Sequence, residues 1–451
     1  MKTKILSIAM AVAAAFCLSA CDDFLDITPT GKVIATTGKE YRALLTYEYK
    51  NFPEDRGLAT LRSDEMTMDK KSTTADDYSS YFDIWAWNDM NPQPTTSSFG
   101  WRRYYHAIYI SNYIIEHQND ITEATAEEVN QLTGEAYMMR AYCHFLLVNL
   151  YAQPYTAADP TTTRGVPLSL KADVNAVLSC SSVDSVYRCV LSDIASAERL
   201  LNVDKWDNGL NYRFNTVSAE ALKARVCLYM GDWKGALDAA EKVIEKHGEL
   251  EDLNDSNAKL PNDYQSVENI VALEEVMNSS YKNIGSPSAD FIALYKSGDR
   301  RKAKYFKQIT SSTSTLLKGG SNEFSCSFRS AEAYLTAAEA VANIGQLDQA
   351  RTYLKQLMEK RYAPSMYTKY ADELDSMDKS ALLDEILAER TRELAFEGHR
   401  WFDLRRTTRP AMSKTDDRDG KVYILSAGDS RYTLRFPTEA VEANPGIELW
   451  K

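Results

Sequence analysis

Histidine is scarce in this 451-residue chain: there are 5, and none forms an H-E-x-x-H helix pair or another ligand pair. A structural or catalytic transition-metal site is therefore not expected, and no metal ligand is assigned. No phosphate-cradling P-loop, dinucleotide fingerprint or G-x-S-x-G serine elbow occurs, and no acidic loop has the EF-hand spacing. No cofactor is expected. Positive charge is also in deficit, 52 Lys and Arg against 64 Asp and Glu, a net charge of −12. Nucleic acid demands a basic face, so it is excluded as a partner. Acidity of this kind serves solubility and names no ligand. After the first 20 residues no stretch is long and apolar enough to cross a bilayer as a helix.

What is present begins at the first residues. Lys2 and Lys4 precede an apolar stretch over residues 5–16, followed by Leu18-Ser19-Ala20-Cys21. A basic start, a short apolar core and small residues before a cut make a secretory signal, too short for a permanent span. Leu-Ser-Ala-Cys resembles a bacterial lipobox. On that reading residues 1–20 are a removed lipoprotein signal and Cys21 carries the acyl chains that anchor the protein to a membrane. Asp22 and Asp23 resemble the surface-export signal of some Gram-negative lipoproteins, or form a plain acidic tether. Of the 7 cysteines, Cys17 leaves with the signal and Cys21 is acylated. The remaining Cys143, Cys180, Cys189, Cys227 and Cys326 are odd in number and match no zinc or redox spacing. Cys143 and Cys227 fall in apolar helical patterns and read as buried thiols. Whether Cys180 pairs with Cys189 is left open.

The rest of the chain reads as mostly helical. In residues 218–246, Ala221, Leu222, Arg225 and Leu228 mark one helix, Gly231-Asp232-Trp233 a turn, and Ala236, Ala240, Val243 and Ile244 the next helix. Residues 332–360 repeat the layout around Gly345. Hairpins with small residues at matched positions resemble tetratricopeptide repeats, which bury their faces only by stacking on neighbours. Residues 101–115 with 126–151 form a further candidate pair, and 183–201 a helix to pack beside them. Between the helices, residues 64–99, 249–322 and 407–451 read as irregular, with a strand-like run at 432–436. Loops of that length inside a compact protein are usually functional.

Three segments carry a resemblance to a known family. The first is Cys21-Asp22-Asp23-Phe24-Leu25-Asp26 with Thr28-Pro29. The second is Arg140-Ala141-Tyr142-Cys143-His144-Phe145-Leu146-Leu147-Val148-Asn149-Leu150-Tyr151, with Gly165-Val166-Pro167-Leu168 after it. The third is Glu389-Arg390-Thr391-Arg392-Glu393-Leu394-Ala395-Phe396-Glu397-Gly398-His399-Arg400-Trp401-Phe402-Asp403-Leu404-Arg405-Arg406, and Phe436-Pro437-Thr438-Glu439 closes the set. In this order they resemble the SusD/RagB family of outer-membrane nutrient-binding lipoproteins. The resemblance implies an all-α-dominated fold on tetratricopeptide-like hairpins with long ligand-binding loops and minor β structure. It divides the mature chain into an N-terminal region, residues 21–205, and a C-terminal region, residues 206–451, in one globular body. It further implies a surface-exposed outer-membrane protein that binds oligosaccharides, is not an enzyme, and docks on a TonB-dependent SusC-like transporter. A peptide-binding member of the same import system is one alternative. A surface glycoside hydrolase is another, since it needs only two carboxylates a few ångströms apart.

Helical spacing places Arg390 in an apolar stripe with Leu383, Leu387 and Leu394. A buried guanidinium needs partners, and Glu393 and Glu397, three and seven residues on, are expected to supply them in an internal ion-pair network. Arg140 sits likewise among Ala136, Cys143 and Leu147. Ligand contacts are expected from the loops: Asp64, Tyr81, Trp85, Trp87 and Asn88. If residues 85–87 are extended, both indoles face one side and stack on sugar rings while amides bond hydroxyls. Tyr281, Asn283 and Tyr295 form a second candidate cluster.

Overall fold

The computed structural model describes residues 35–68, 75–277, 285–310, 314–318 and 324–449. Cys21 with its lipobox, and the candidates Tyr281 and Asn283, lie outside the described residues.

Helices form where the apolar spacing puts them. Ala126–Tyr151 opens on a reciprocal cap: Thr125 Oγ1 accepts from Glu128 N, and the Glu128 carboxylate accepts from Thr125 N. Two amides that a helix start leaves unpaired are thereby satisfied. This long helix is buried on nearly every side from Gln131 onward because Trp101–Glu116 and Val183–Leu200 enclose it. Next come the two hairpins. Thr216–Met230 turns into Trp233–His247 at Gly231, φ 72°, and Ser330–Asn343 into Leu347–Glu359 at Gly345, φ 90°. Left-handed backbone of this kind is what glycine adopts at little cost. Trp233–His247 lies against Ser330–Asn343, so the hairpins stack even though residues 248–329 intervene. Ala337, Ala338, Ala340 and Ala342 are wholly buried in that second hairpin, where small side chains let helices approach. Pro364–Ser376 and Lys379–Glu393 extend the array, the latter packing on Ser330–Asn343.

Strands among the described residues occur only as antiparallel pairs. Met66–Met68 pairs with Gly285–Pro287 and Met412–Thr415 with Val422–Leu425, fastening loops to the helical body. The polar loops also cover a second apolar core, which contains Trp85, Phe291, Tyr295, Phe306 and Phe396. Two local readings change. Ala75–Trp85 is a helix inside the segment that composition marks as irregular. The run at 432–436 has no ladder partner among the described residues; instead Leu434 N donates to Leu150 O at 2.9 Å and pins the tail to the end of the long helix. All five cysteines are free thiols, so Cys180 and Cys189 do not pair.

A buried ionic lattice joins the helical array to the loop-rich half. Glu393 meets Arg301 at 2.9 Å, Arg329 at 2.7 Å and Arg361 at 2.8 Å. Glu397 holds Arg329 at 2.8 Å and also Lys318, while Glu268 holds Arg329 and Arg361. Arg390 takes no part: it turns to Asp403 at 2.9 Å, with Glu332 at 3.6 Å. The expected service of Arg390 by Glu393 and Glu397 is corrected because the helix stops at Glu393. Phe396 and Gly398 adopt φ of 58° and 69°, which takes Glu397 off the helical face. Arg140 is held by Asp193 at 2.6 and 2.8 Å on the neighbouring helix and by Asn112 at 2.8 Å.

The lattice sets an acid limit. Burial opposes ionisation of Glu389, but Arg301 and Arg392 outweigh it and hold the carboxyl down to about 2. Glu393 is held well below the usual range against burial by Arg361, Arg329 and Arg301. A carboxyl lowered on folding stabilises the fold above its unfolded pKa of about 4.3, and that contribution is lost as pH falls through the folded value. Burial pushes Asp55 and Glu65 up to about 7, so they cost stability as pH rises from about 4 to 7. His144, brought down to about 3 by burial and by Arg140, works in the opposite sense over that window. The urea midpoint is expected to stay nearly level from about pH 4 to 7 and to fall steeply below it. A midpoint unchanged down to about pH 2.5 would mean that the lattice is not ionised in the fold.

Candidate functional site

Trp85 closes its helix and Trp87 follows in left-handed backbone, φ 56°. Their rings are 0% and 1% exposed. Trp85 Nε1 donates to Met66 O at 3.1 Å and Trp87 Nε1 to Arg62 O at 2.9 Å. The Lys414 ammonium lies 5.4 and 4.3 Å from the two ring centres and donates to Leu61 O and Trp85 O. The expected sugar platform of Trp85 and Trp87 is corrected: the helix turns Trp85 inward onto Phe82, and both indoles anchor the loop to the core. Tyr295 is also internal, 4% exposed, with its hydroxyl donating to Arg392 O at 2.8 Å. Asp64 is half-buried and bidentate with Arg400 at 2.8 and 2.7 Å, so it does not stand free to read hydroxyls. Tyr81 is half-buried against the second core. Of the candidates, Asn88 reaches the rim of an open cleft.

The cleft has two adjoining lobes. One, of about 410 Å³, lies between residues 88–99 and 434–439. The other, of about 620 Å³, lies between residues 151–154, 163–164 and 428–436. Tyr151, Leu434, Arg435 and Phe436 line both. One wall hangs on the buried Asp83 carboxylate, which accepts from Gln93 N at 2.6 Å, Thr96 Oγ1 at 2.7 Å and Asn88 Nδ2 at 2.8 Å. The opposite wall is tied by Arg405, which has no carboxylate partner among the described residues and donates to Ala152 O at 2.6 Å and to Asn149 O and Tyr432 O. Burial brings Arg405 down to about 10. The floor is aromatic: half-buried Phe436 meets Trp101 edge-on at 5.2 Å and Tyr151 at 5.9 Å. The Arg164 guanidinium lies over this ring, 4.6 Å from its centre, so the floor pairs an aromatic, able to contact the apolar part of a sugar, with N–H groups able to bond hydroxyls.

A second aromatic surface lies beside the hairpin of Met412–Thr415 and Val422–Leu425. Half-buried Tyr78 stacks on Phe82 at 4.5 Å and donates to Asp416 at 3.0 Å, and Tyr423 meets Phe82 edge-on at 5.2 Å. The contacts expected from the sequence lie within residues 64–88 and 281–295, whereas one wall of the cleft is C-terminal. Phe436 was in view within the closing motif, but its neighbours Trp101 and Tyr151 come from distant segments.

Two family profiles match this chain. One, described as starch-binding and associating with the outer membrane, covers residues 23–228; the other, the SusD family, covers residues 241–444. A SusD-like protein of Formosa agariphila is 25% identical over 73% of this chain and 77% of its own length. A SusD superfamily protein from Bacteroides fragilis shares the fold with a TM-score of 0.76 at 21% identity, covering 92% of this chain and 100% of that one. A laminarin-binding SusD-like protein does so with a TM-score of 0.62 at 17% identity, over 82% and 92%. Stacked hairpins, loop-built cleft and the paired profiles agree along nearly the whole length, and the chain belongs to the SusD/RagB family.

Proposed function

We propose that this protein captures oligosaccharides at the cell surface and hands them, uncleaved, to a TonB-dependent outer-membrane transporter. The observation that carries this reading is the cleft, in which the Phe436 ring lies among polar groups from two separately braced walls. The starch-binding description of one profile and the laminarin binding of one structural relative support a glycan as the cargo. The carboxylates of Glu393 and Glu397 are sealed and ion-paired, which speaks against using them as a hydrolytic pair. A lipid anchor at Cys21 would hold the cleft beside the transporter, and local concentration then compensates for the modest affinity of a shallow site.

Isothermal titration of the mature protein against oligosaccharides and peptides tests the proposal. Saturable heat from a glycan without cleavage products is the expected result. Phe436→Ala is expected to weaken that binding about two- to tenfold, the ~0.5–1.5 kcal/mol of a lost aromatic contact. Unchanged affinity would remove the cleft from the site, heat from peptides alone would make it a peptide importer, and cleavage would make it a hydrolase.

A further inference from the structure

The larger lobe gathers arginines that no carboxylate among the described residues neutralises. Arg164 extends over the Phe436 ring, its guanidinium 4.6 Å from the ring centre. Arg435 rests on the Met90 sulfur, a weak acceptor. Arg409 has no side-chain hydrogen bond or ion pair among the described residues. Each lines the lobe. The nearby carboxylates are already engaged: Asp89 is bidentate with Arg62 at 2.7 Å, and Asp429 is bound by Arg431 at 2.7 and 3.0 Å. That leaves Glu448 in this lobe, and Glu439 in the smaller one, as the lining carboxylates without an ion pair among the described residues. The pattern departs from the interior, where Arg225 has Glu332, Arg406 has Glu339 and Arg140 has Asp193. It also departs from a chain whose net charge is −12.

The backbone at Arg409 points the same way. Its φ is 45°, in the left-handed region where a side chain costs roughly 1 kcal/mol and glycine does not. Two hydrogen bonds lock it there, Arg409 N to Leu404 O and Gly428 N to Arg409 O, both at 2.9 Å. An arginine therefore occupies a strained position on the wall of the cleft.

We infer that this cleft takes an acidic oligosaccharide, one whose sugar rings bear carboxylate or sulfate groups; the inference rests on the glycan-capture reading above. A guanidinium offers paired N–H donors that match such an oxyanion two at a time. The Phe436 ring supports the Arg164 cation from one side, leaving its edge free to donate. A lobe of about 620 Å³ lies within the usual range for a small-molecule site.

The test is calorimetric titration of the mature protein with size-matched neutral, uronate and sulfated oligosaccharides, at about 50 and about 500 mM salt. An acidic ligand is expected to bind about tenfold or more tightly than the neutral one, and to weaken as salt rises. The double variant Arg164→Gln, Arg435→Gln, at two exposed side chains, is expected to remove most of that preference while leaving the urea midpoint in place. The uronate and sulfate arms identify which oxyanion is read. Equal or stronger binding of the neutral glycan overturns the acidic inference and leaves glycan capture standing. Silence from all three glycans overturns both, and heat from acidic peptides without heat from acidic glycans overturns the inference in favour of peptide import. A preference that survives the double variant also overturns the assignment to this cleft.

Discussion

Glu393→Ala is expected to lower stability by about 3–5 kcal/mol, read as a fall in the urea midpoint with an unchanged slope. One carboxylate here meets Arg301, Arg329 and Arg361, all but sealed from solvent. Its removal leaves three guanidinium groups short of a counter-charge where water cannot replace it. Because whole domains are stable by only about 5–15 kcal/mol, the loss is a large share of the total. Glu393→Gln keeps acceptor geometry on one oxygen and should fall between wild type and alanine. The exposed pair Lys369–Glu373, 3.7 Å apart, supplies the contrast, and Glu373→Ala should move the midpoint little. A cost for Glu393→Ala as small as that of Glu373→Ala would show that the lattice relaxes around the gap.

Trp87→Ala is expected to cost about 3–5 kcal/mol, the usual range for deleting a large buried aromatic. The indole is 1% exposed, donates to Arg62 O and lies under the Lys414 ammonium. Ligand affinity should fall with it, but indirectly. Arg62 grips Asp89 on the cleft wall, so a void beneath Arg62 loosens that wall. Trp87→Phe separates the contributions: most of the packing remains while Arg62 O loses its donor, a change of about 1–3 kcal/mol. Lower affinity in Trp87→Ala at an unchanged urea midpoint would restore the sugar-stacking role that the burial of this ring contradicts.

The hairpins were legible because their signal is local: apolar residues at helical spacing, small residues at the interface, and glycine where the backbone turns left-handed. Arg390 and Arg140 were legible as buried charges for the same reason. Their partners were not, since Asp403 and Asp193 belong to other elements and the helix carrying Arg390 stops at Glu393. The indoles were misread through a period error. Tyr78, Tyr81, Phe82 and Trp85 fall at helical spacing, but the Asp, Ser and Thr around them made the segment look like loop. The cleft was out of reach in a different way. Its character comes from arginines that lack a carboxylate partner among the described residues, and the lack of a long-range partner leaves no mark in the local sequence.

The Asp83 carboxylate has a further consequence for how this surface can be altered. It holds residues 88–96 through one backbone amide and two side chains, at Gln93, Asn88 and Thr96. The side chains of Asn91, Gln93 and Ser98 are exposed, so their identity contributes little to the curvature of the loop, which Pro92 and Pro94 help to fix through their restricted φ. Shape and lettering are thus separable on this rim. Varying those three positions while keeping Asp83, Asn88, Pro92, Pro94 and Thr96 should yield a library of folded variants that differ in what the rim contacts, which makes the loop a natural site for altering what the cleft binds.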